Sequence, residues 1–182
     1  MEPQGVVRVA RVDDAKAIGV VHVDAWQAAY RGIMPDEYLN GLRATDRSAQ
    51  WGRWLATPPS GTHIVVIEGS GTVVGFASCG VERGSVDDPT VGELYAINLS
   101  PTVWGQGFGR ELLAAATQVL AHDGYAAAIL WVVPQNDRAR RFYERAGWTD
   151  DGTARVETVQ GATVDEVRYR RNLAQVGSTN LG

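Results

Sequence analysis

Apolar positions recur along the chain in two rhythms, and these rhythms mark out the elements. Val6 to Val12 alternates like a strand. Asp13 and Asp14 then offer an N-cap and first-turn negative charge for a helix reaching about Tyr30. On it Ile18, Val21, Ala25 and Ala29 recur at spacings of three and four, one helical face. Pro35 opens a short helix to Leu42, and Arg47 to Leu55 predicts another. The run "TPPSG" breaks the chain. Strands follow at His63 to Glu68, Thr72 to Val81 and Val91 to Leu99, the first two joined by a "GSG" turn. From about Gly107 to His122 the period is helical again, with Leu112, Leu113, Ala116, Val119 and Leu120 on one side. "AAAILWVV" reads as a buried strand. "NDRARRFYERAGW" is a short helix stopped by Gly147. Thr153 to Thr158 and Thr163 to Arg170 are two last strands with a turn at Gly161. This order predicts a mixed sheet with helices on its faces.

Composition changes the picture little. The 182 residues carry a formal net charge of -4, with the basic residues scattered, so nucleic acid is not an expected partner. The longest apolar run is about nine residues, too short to span a bilayer. The N-terminal segment has no signal-peptide core, so no membrane association and a cytoplasmic location are expected. Cys79, the only cysteine, lies in a strand and reads as a buried, inert thiol. Residues 1–173 are expected to form one domain, with a flexible tail at 174–182.

Chemistry enters at "SPTVWGQGFGRELL". Gly105, Gly107 and Gly109 fall at alternate positions where a helix must start. Glycine lets backbone amides come close to a ligand. A helix start carries unpaired N–H groups and partial positive charge. Together they suit phosphate oxygens, and Arg110 adds a charge. A plain loop-to-helix turn explains the glycines equally well from this stretch alone. No lysine follows, so this is not a Walker A loop. The G-x-G-x-G spacing, with apolar residues where an acid is due, excludes the dinucleotide fingerprint.

That stretch, with "NDRARRFYERAGW" one strand later, resembles the GNAT superfamily of acyl-CoA-dependent N-acetyltransferases. The family signature [QR]-x-x-G-x-[GA] matches at Gly107 and Gly109 but has Trp104 at its first position. The second motif matches at Asn136, Ala139, Phe142, Tyr143, Gly147 and Trp148. The resemblance implies an α+β (mixed α/β) fold. Its central sheet is mixed and mostly antiparallel, of about seven strands flanked by helices, splayed between the fourth and fifth strands. It implies acetyl-CoA as acyl donor, no metal, and a small-molecule or peptide amine as acceptor, and leaves a homodimer open. The diphosphate would lie on Trp104, Gly105, Gln106, Gly107, Phe108, Gly109 and Arg110. Ile97 and Leu99 would offer backbone to the pantetheine arm near a bulge. Asn136 would cap its helix and bond the cofactor.

Amide formation on a thioester needs a neutral amine and a protonated leaving thiolate. An alkyl amine has a pKa of about 10.4, so a base helps. The resemblance implies Glu93 in that role, through water; a solvated strand-end glutamate is the plainer reading. It also implies that Tyr143 is the acid and a cofactor contact. Ala139, Phe142 and Ala146 form a core stripe. Tyr143, turned about 100° from Phe142, is expected to face a cleft, and a high-pH limb is expected to report its ionisation. His22, Trp26 and Tyr30, at i, i+4 and i+8 on the first helix, are candidates for the acceptor wall or for packing against the second helix. No metal-ligand spacing is present. A non-catalytic acyl-CoA-binding or regulatory domain is the alternative function, because fold alone does not separate the two.

Overall fold

Seven strands form one sheet in the order β1-β2-β3-β4-β5-β7-β6. They are β1 (Val6–Val9), β2 (Thr62–Gly69), β3 (Thr72–Val81), β4 (Val91–Leu99), β5 (Ala127–Val132), β6 (Thr149–Val159) and β7 (Ala162–Asn172). The helices are α1 (Ala15–Ala29), α2 (Asp36–Gly41), α3 (Ala44–Ala56), α4 (Phe108–His122) and α5 (Asp137–Arg145). This computed structural model describes residues 5–84, 86–159 and 162–173. The turn expected at Gly161 and the tail at 174–182 lie outside them.

Every neighbouring pair is antiparallel except β4 and β5. Those two run parallel and pair only from Val91 to Glu93, opposite Ala127 to Ile129. Beyond Glu93 the strands part, and the rest of β4 has no strand on its β5 side. The expected splay is therefore present. The β4 irregularity lies earlier than expected, where Tyr95 is the extra residue between the Ala96–Ser78 and Leu94–Cys79 pairs.

Period-two alternation divides the sheet residues between two cores. Val65 and Ile67 face α4, where they pack with Leu112, Leu113, Ala116 and Leu120. Ile64 and Val66 face the other way, against Ile18 of α1 and Trp51 of α3. Each such aliphatic side chain contributes roughly 1.5–3 kcal/mol by leaving water. A third cluster joins Val23, Met34 and Leu39 to Val133 and Val164. It ties the α1–α2 corner to the β5–β7 end of the sheet and so brings the end of α1 to the fork. Cys79 is buried in the α4-side core, and burial pushes its thiol up to about 12, as expected of an inert thiol.

Element boundaries differ at the ends. β1 stops at Val9 because Arg8 forks onto Asp14 at 2.7 and 2.8 Å and Asp14 accepts the Arg11 N–H at 2.7 Å, which turns the chain into a 3-10 turn at Val12–Asp14. β6 starts at Thr149, four residues early, and carries an irregularity between Asp150 and Ala154 where Gly152 is left-handed. Gly147, also left-handed, follows α5 as its motif position predicts.

Candidate active site

The fork between β4 and β5 opens a cavity of about 680 Å³, walled by the ends of α1 and β4, the start of α4 and the whole of α5. Its size suits a small-molecule ligand.

At one end the three glycines do different jobs. Gly105 has φ +78° and Gly107 φ +93°, in the region that side chains rarely adopt. Gly107 is the N-cap of α4. An added Cβ at either would meet nothing within 4 Å, so open space lies above this backbone. Gly109 is instead a packing glycine, because a Cβ there would lie 3.3 Å from the Phe142 ring. Among the described residues, the N–H groups of Gly105, Gly107, Phe108 and Gly109 have no backbone acceptor. Unpaired amides at the positive end of a helix are suited to an anion. Of the seven expected cradle residues, Trp104, Gly105, Gly107, Gly109 and Arg110 line the cavity. Gln106 does not; its side chain donates to Thr102 O at 2.9 Å. The Phe108 ring is buried in the core. Arg110, Arg138, Arg141 and Arg145 all line the cavity, against one acid, Asp137. On a chain of net charge -4, that concentration of guanidinium gives the cavity a positive lining, which suits a multiply charged anion.

The middle of the cavity is formed by Ile97 and Leu99 on the parted stretch of β4, facing Val132 and the first turn of α5. Asn136 caps α5, accepting the Ala139 N–H at 3.1 Å. Its side chain also lies near the Tyr30 hydroxyl. Burial, with Glu166 nearby, lifts the Tyr30 phenol to about 12. Tyr143 lines the same cavity, and burial, with Tyr30 nearby, raises its phenol above the usual range. Ala139, Phe142 and Ala146 pack against the core as the stripe predicts, but the division from Tyr143 is less sharp than expected. Tyr143 belongs to the buried core as well as the cavity, ringed by Phe142 at 5.3 Å, Trp148 at 6.3 Å and Tyr169 at 6.4 Å. Phe142 is the half-buried one of the pair. A phenol so raised stays protonated across ordinary assay conditions, so the expected high-pH limb moves out of reach.

Glu93 is not a solvated strand-end residue. It is 1% exposed and does not line the cavity. One carboxylate oxygen accepts the Arg83 guanidinium at 2.6 and 3.1 Å, and the other accepts the Arg83 backbone N–H at 3.0 Å. It is, however, the last β4 residue paired with β5, at the apex of the fork.

The α1 stripe separates in space. Tyr30 reaches the cavity; His22 and Trp26 do not line it. His22 is buried, its Nδ1 accepting the Trp51 indole N–H at 3.0 Å. Trp26 lies between His22 and Tyr30, with ring centroids 5.6 and 4.9 Å away. Burial, then Arg47, pulls His22 down to about 4. A base depressed on folding stabilises the native state fully above its unfolded pKa of about 6.5, and loses that contribution as pH falls toward 4. The loss amounts to about 3 kcal/mol. We expect the His22 ring to stay neutral in an NMR titration down to about pH 5. Protonation near pH 6.5 would mean that the ring is open to solvent.

Trp131, Arg138, Ala25 and Ala29 also line the cavity, though the pattern of the sequence did not single them out as site residues. Arg138 lies inside the second motif, which is the signal that was available for it. No helix of the described residues is long and apolar enough to cross a membrane, and no cluster among them is suited to a metal.

Comparison with known proteins agrees with this geometry. The model of the acetyltransferase (GNAT) family matches residues 9–148. The uncharacterized N-acetyltransferase YuaI of Bacillus subtilis is 38% identical over 130 residues, 71% of this chain and 72% of its own length. Among solved structures, the PaiA N-acetyltransferase of Thermoplasma acidophilum, in complex with coenzyme A, superposes with a TM-score of 0.72. It is 19% identical, over 93% of this chain and 99% of its own. YncA of Salmonella typhimurium, with its cofactor acetyl-CoA, gives 0.68 at 22% identity, over 98% and 99%. At these identities the two structures speak for the fold.

Proposed function

The chain belongs to the acetyltransferase (GNAT) family, and from that premise we propose that it transfers an acetyl group from acetyl-CoA to a primary amine by direct attack in a ternary complex. The observation that carries this reading is a single cavity holding both an anion cradle and a buried phenol, at the apex of a split sheet.

Acetyl-CoA supplies the thioester carbonyl and a thiolate leaving group. The N–H groups of Gly105, Gly107, Phe108 and Gly109, with Arg110, hold its diphosphate. The open edge of β4 at Ile97 and Leu99 accepts the pantetheine arm as an added strand would be accepted. Asn136 adds a bond there while keeping α5 capped. The amine attacks the carbonyl carbon, a C–N bond forms and the C–S bond breaks. The amine gives up one proton and the thiolate gains one. Tyr143 donates the latter. Its raised pKa makes donation harder, but the same dry surroundings raise the thiolate too, which narrows the gap. Glu93 takes the amine proton through water, with Arg83 fixing its carboxylate. Tyr30, backed by Trp26, forms the acceptor-side wall, and His22 supports that wall by packing.

Two-substrate initial rates test this reading. With a panel of amines, direct attack in a ternary complex requires reciprocal plots that intersect and no acetylated protein after acetyl-CoA alone. Parallel plots with a trapped acetyl-enzyme would replace it by a two-step mechanism. Coenzyme A binding without turnover of any amine would favour the non-catalytic domain.

A further inference from the structure

Trp104 stands one residue before the cradle, and its indole N–H donates to Leu99 O at 2.9 Å, which fixes the ring against the end of β4. The Arg138 guanidinium, from the first turn of α5, lies over that ring with 3.2 Å between its central carbon and the ring centroid. Both residues line the cavity. The segment before α4 and the first turn of α5 thus meet through a cation stacked on an indole.

The stack is unusual in what it lacks. Among the described residues no carboxylate pairs with Arg138. Its neighbour Asp137 pairs with Arg141 instead, at 3.5 Å. Partial desolvation lowers the Arg138 pKa, with no acid acting to restore it. A guanidinium spends one face on an aromatic ring and keeps its five N–H groups around the edge of the plane, where they fit the oxygens of a phosphate in pairs. Stacking also restricts the side chain before a ligand arrives, so less freedom is lost on binding.

We propose that Arg138, oriented by Trp104, is a phosphate-binding residue of this cavity, acting beside the glycine cradle on the phosphates of coenzyme A. The inference rests on the acetyl-CoA reading above and adds to it a charged contact on α5, with Trp104 as its positioning residue.

Calorimetric titration of the whole protein with coenzyme A and with 3′-dephospho-coenzyme A tests it. Arg138→Gln should weaken coenzyme A binding by about tenfold, the usual scale for a lost bond to a charged group, and flatten the dependence of affinity on salt. Trp104→Leu should weaken binding in the same direction, and the double variant should lose little beyond the larger single loss. Persistence of the Arg138→Gln loss with the dephospho ligand would place the contact on the diphosphate. Its disappearance would place the contact on the 3′-phosphate. Thermal unfolding of Arg138→Gln should match wild type, since this side chain is at the surface. Wild-type affinity and salt dependence in Arg138→Gln would overturn the inference and leave the acetyl-CoA reading standing. Failure of wild-type protein to bind coenzyme A at all would overturn both.

Discussion

Replacing Tyr143 with phenylalanine should lower kcat by about 100-fold, the scale of a lost general acid, while acetyl-CoA affinity stays within about twofold, under about 0.5 kcal/mol. The change removes one hydroxyl from a ring packed among Phe142, Trp148 and Tyr169. The ring still fills its place, so the melting temperature should barely move. The cradle proposed for the phosphates is built from other residues, Gly105 to Arg110, so binding should persist. Because burial keeps the phenol protonated, pH profiles of the two proteins should have the same shape. The effect should appear as a uniform drop in turnover. A phenylalanine variant with wild-type kcat, under conditions where chemistry limits the rate, would mean that water protonates the thiolate and Tyr143 is only a wall.

Gly107→Val should weaken coenzyme A binding by at least about tenfold, or 1.4 kcal/mol. Two effects must be separated. Any side chain at φ +93° strains the backbone, at a cost of order 1–3 kcal/mol to stability. The side chain also enters the open space above the cradle amides, where the ligand would lie. Gly124 supplies the control. Its φ is +94° and a Cβ there also meets nothing within 4 Å, but it lies past the far end of α4, away from the cavity. Gly124→Val should therefore cost similar stability and leave coenzyme A affinity unchanged. Equal affinity losses in the two variants would assign the effect to strain and remove the cradle from the account.

What was legible in the sequence follows from how local each signal is. The α4 face and the glycine run are local, and both stand where the pattern put them. Asn136 and Gly147 sit at the two ends of α5, as their motif positions predicted. The α1 stripe divides between cavity and core for a geometric reason. Residues at i and i+8 are separated by about 12 Å along a helix, so one stripe passes under α3 at His22 and reaches the cavity only at Tyr30. Which end met Trp51 depended on the packing of α3, a long-range fact. The burial of Glu93 was equally out of reach of the local pattern. It depends on Arg83, which reaches Glu93 from the loop after β3. Arg138 and Trp131 line the cavity only because the fork opens between β4 and β5, strands with 27 residues of chain between them. The ends of β1 and β6 moved because side-chain forks and a left-handed glycine, rather than hydrophobic alternation, set where pairing stops.

One stoichiometric measurement decides whether this cavity carries an acetyl group from a thioester to an amine. Purified protein is incubated with acetyl-CoA and each member of an amine panel, and free thiol and acetylated amine are quantified in the same sample. Equal amounts of thiol and acetylated amine are expected for at least one acceptor, with both products suppressed together in Tyr143→Phe. Thiol release at the same rate without any amine, or thiol released with no acetylated amine to match it, would contradict such a transfer.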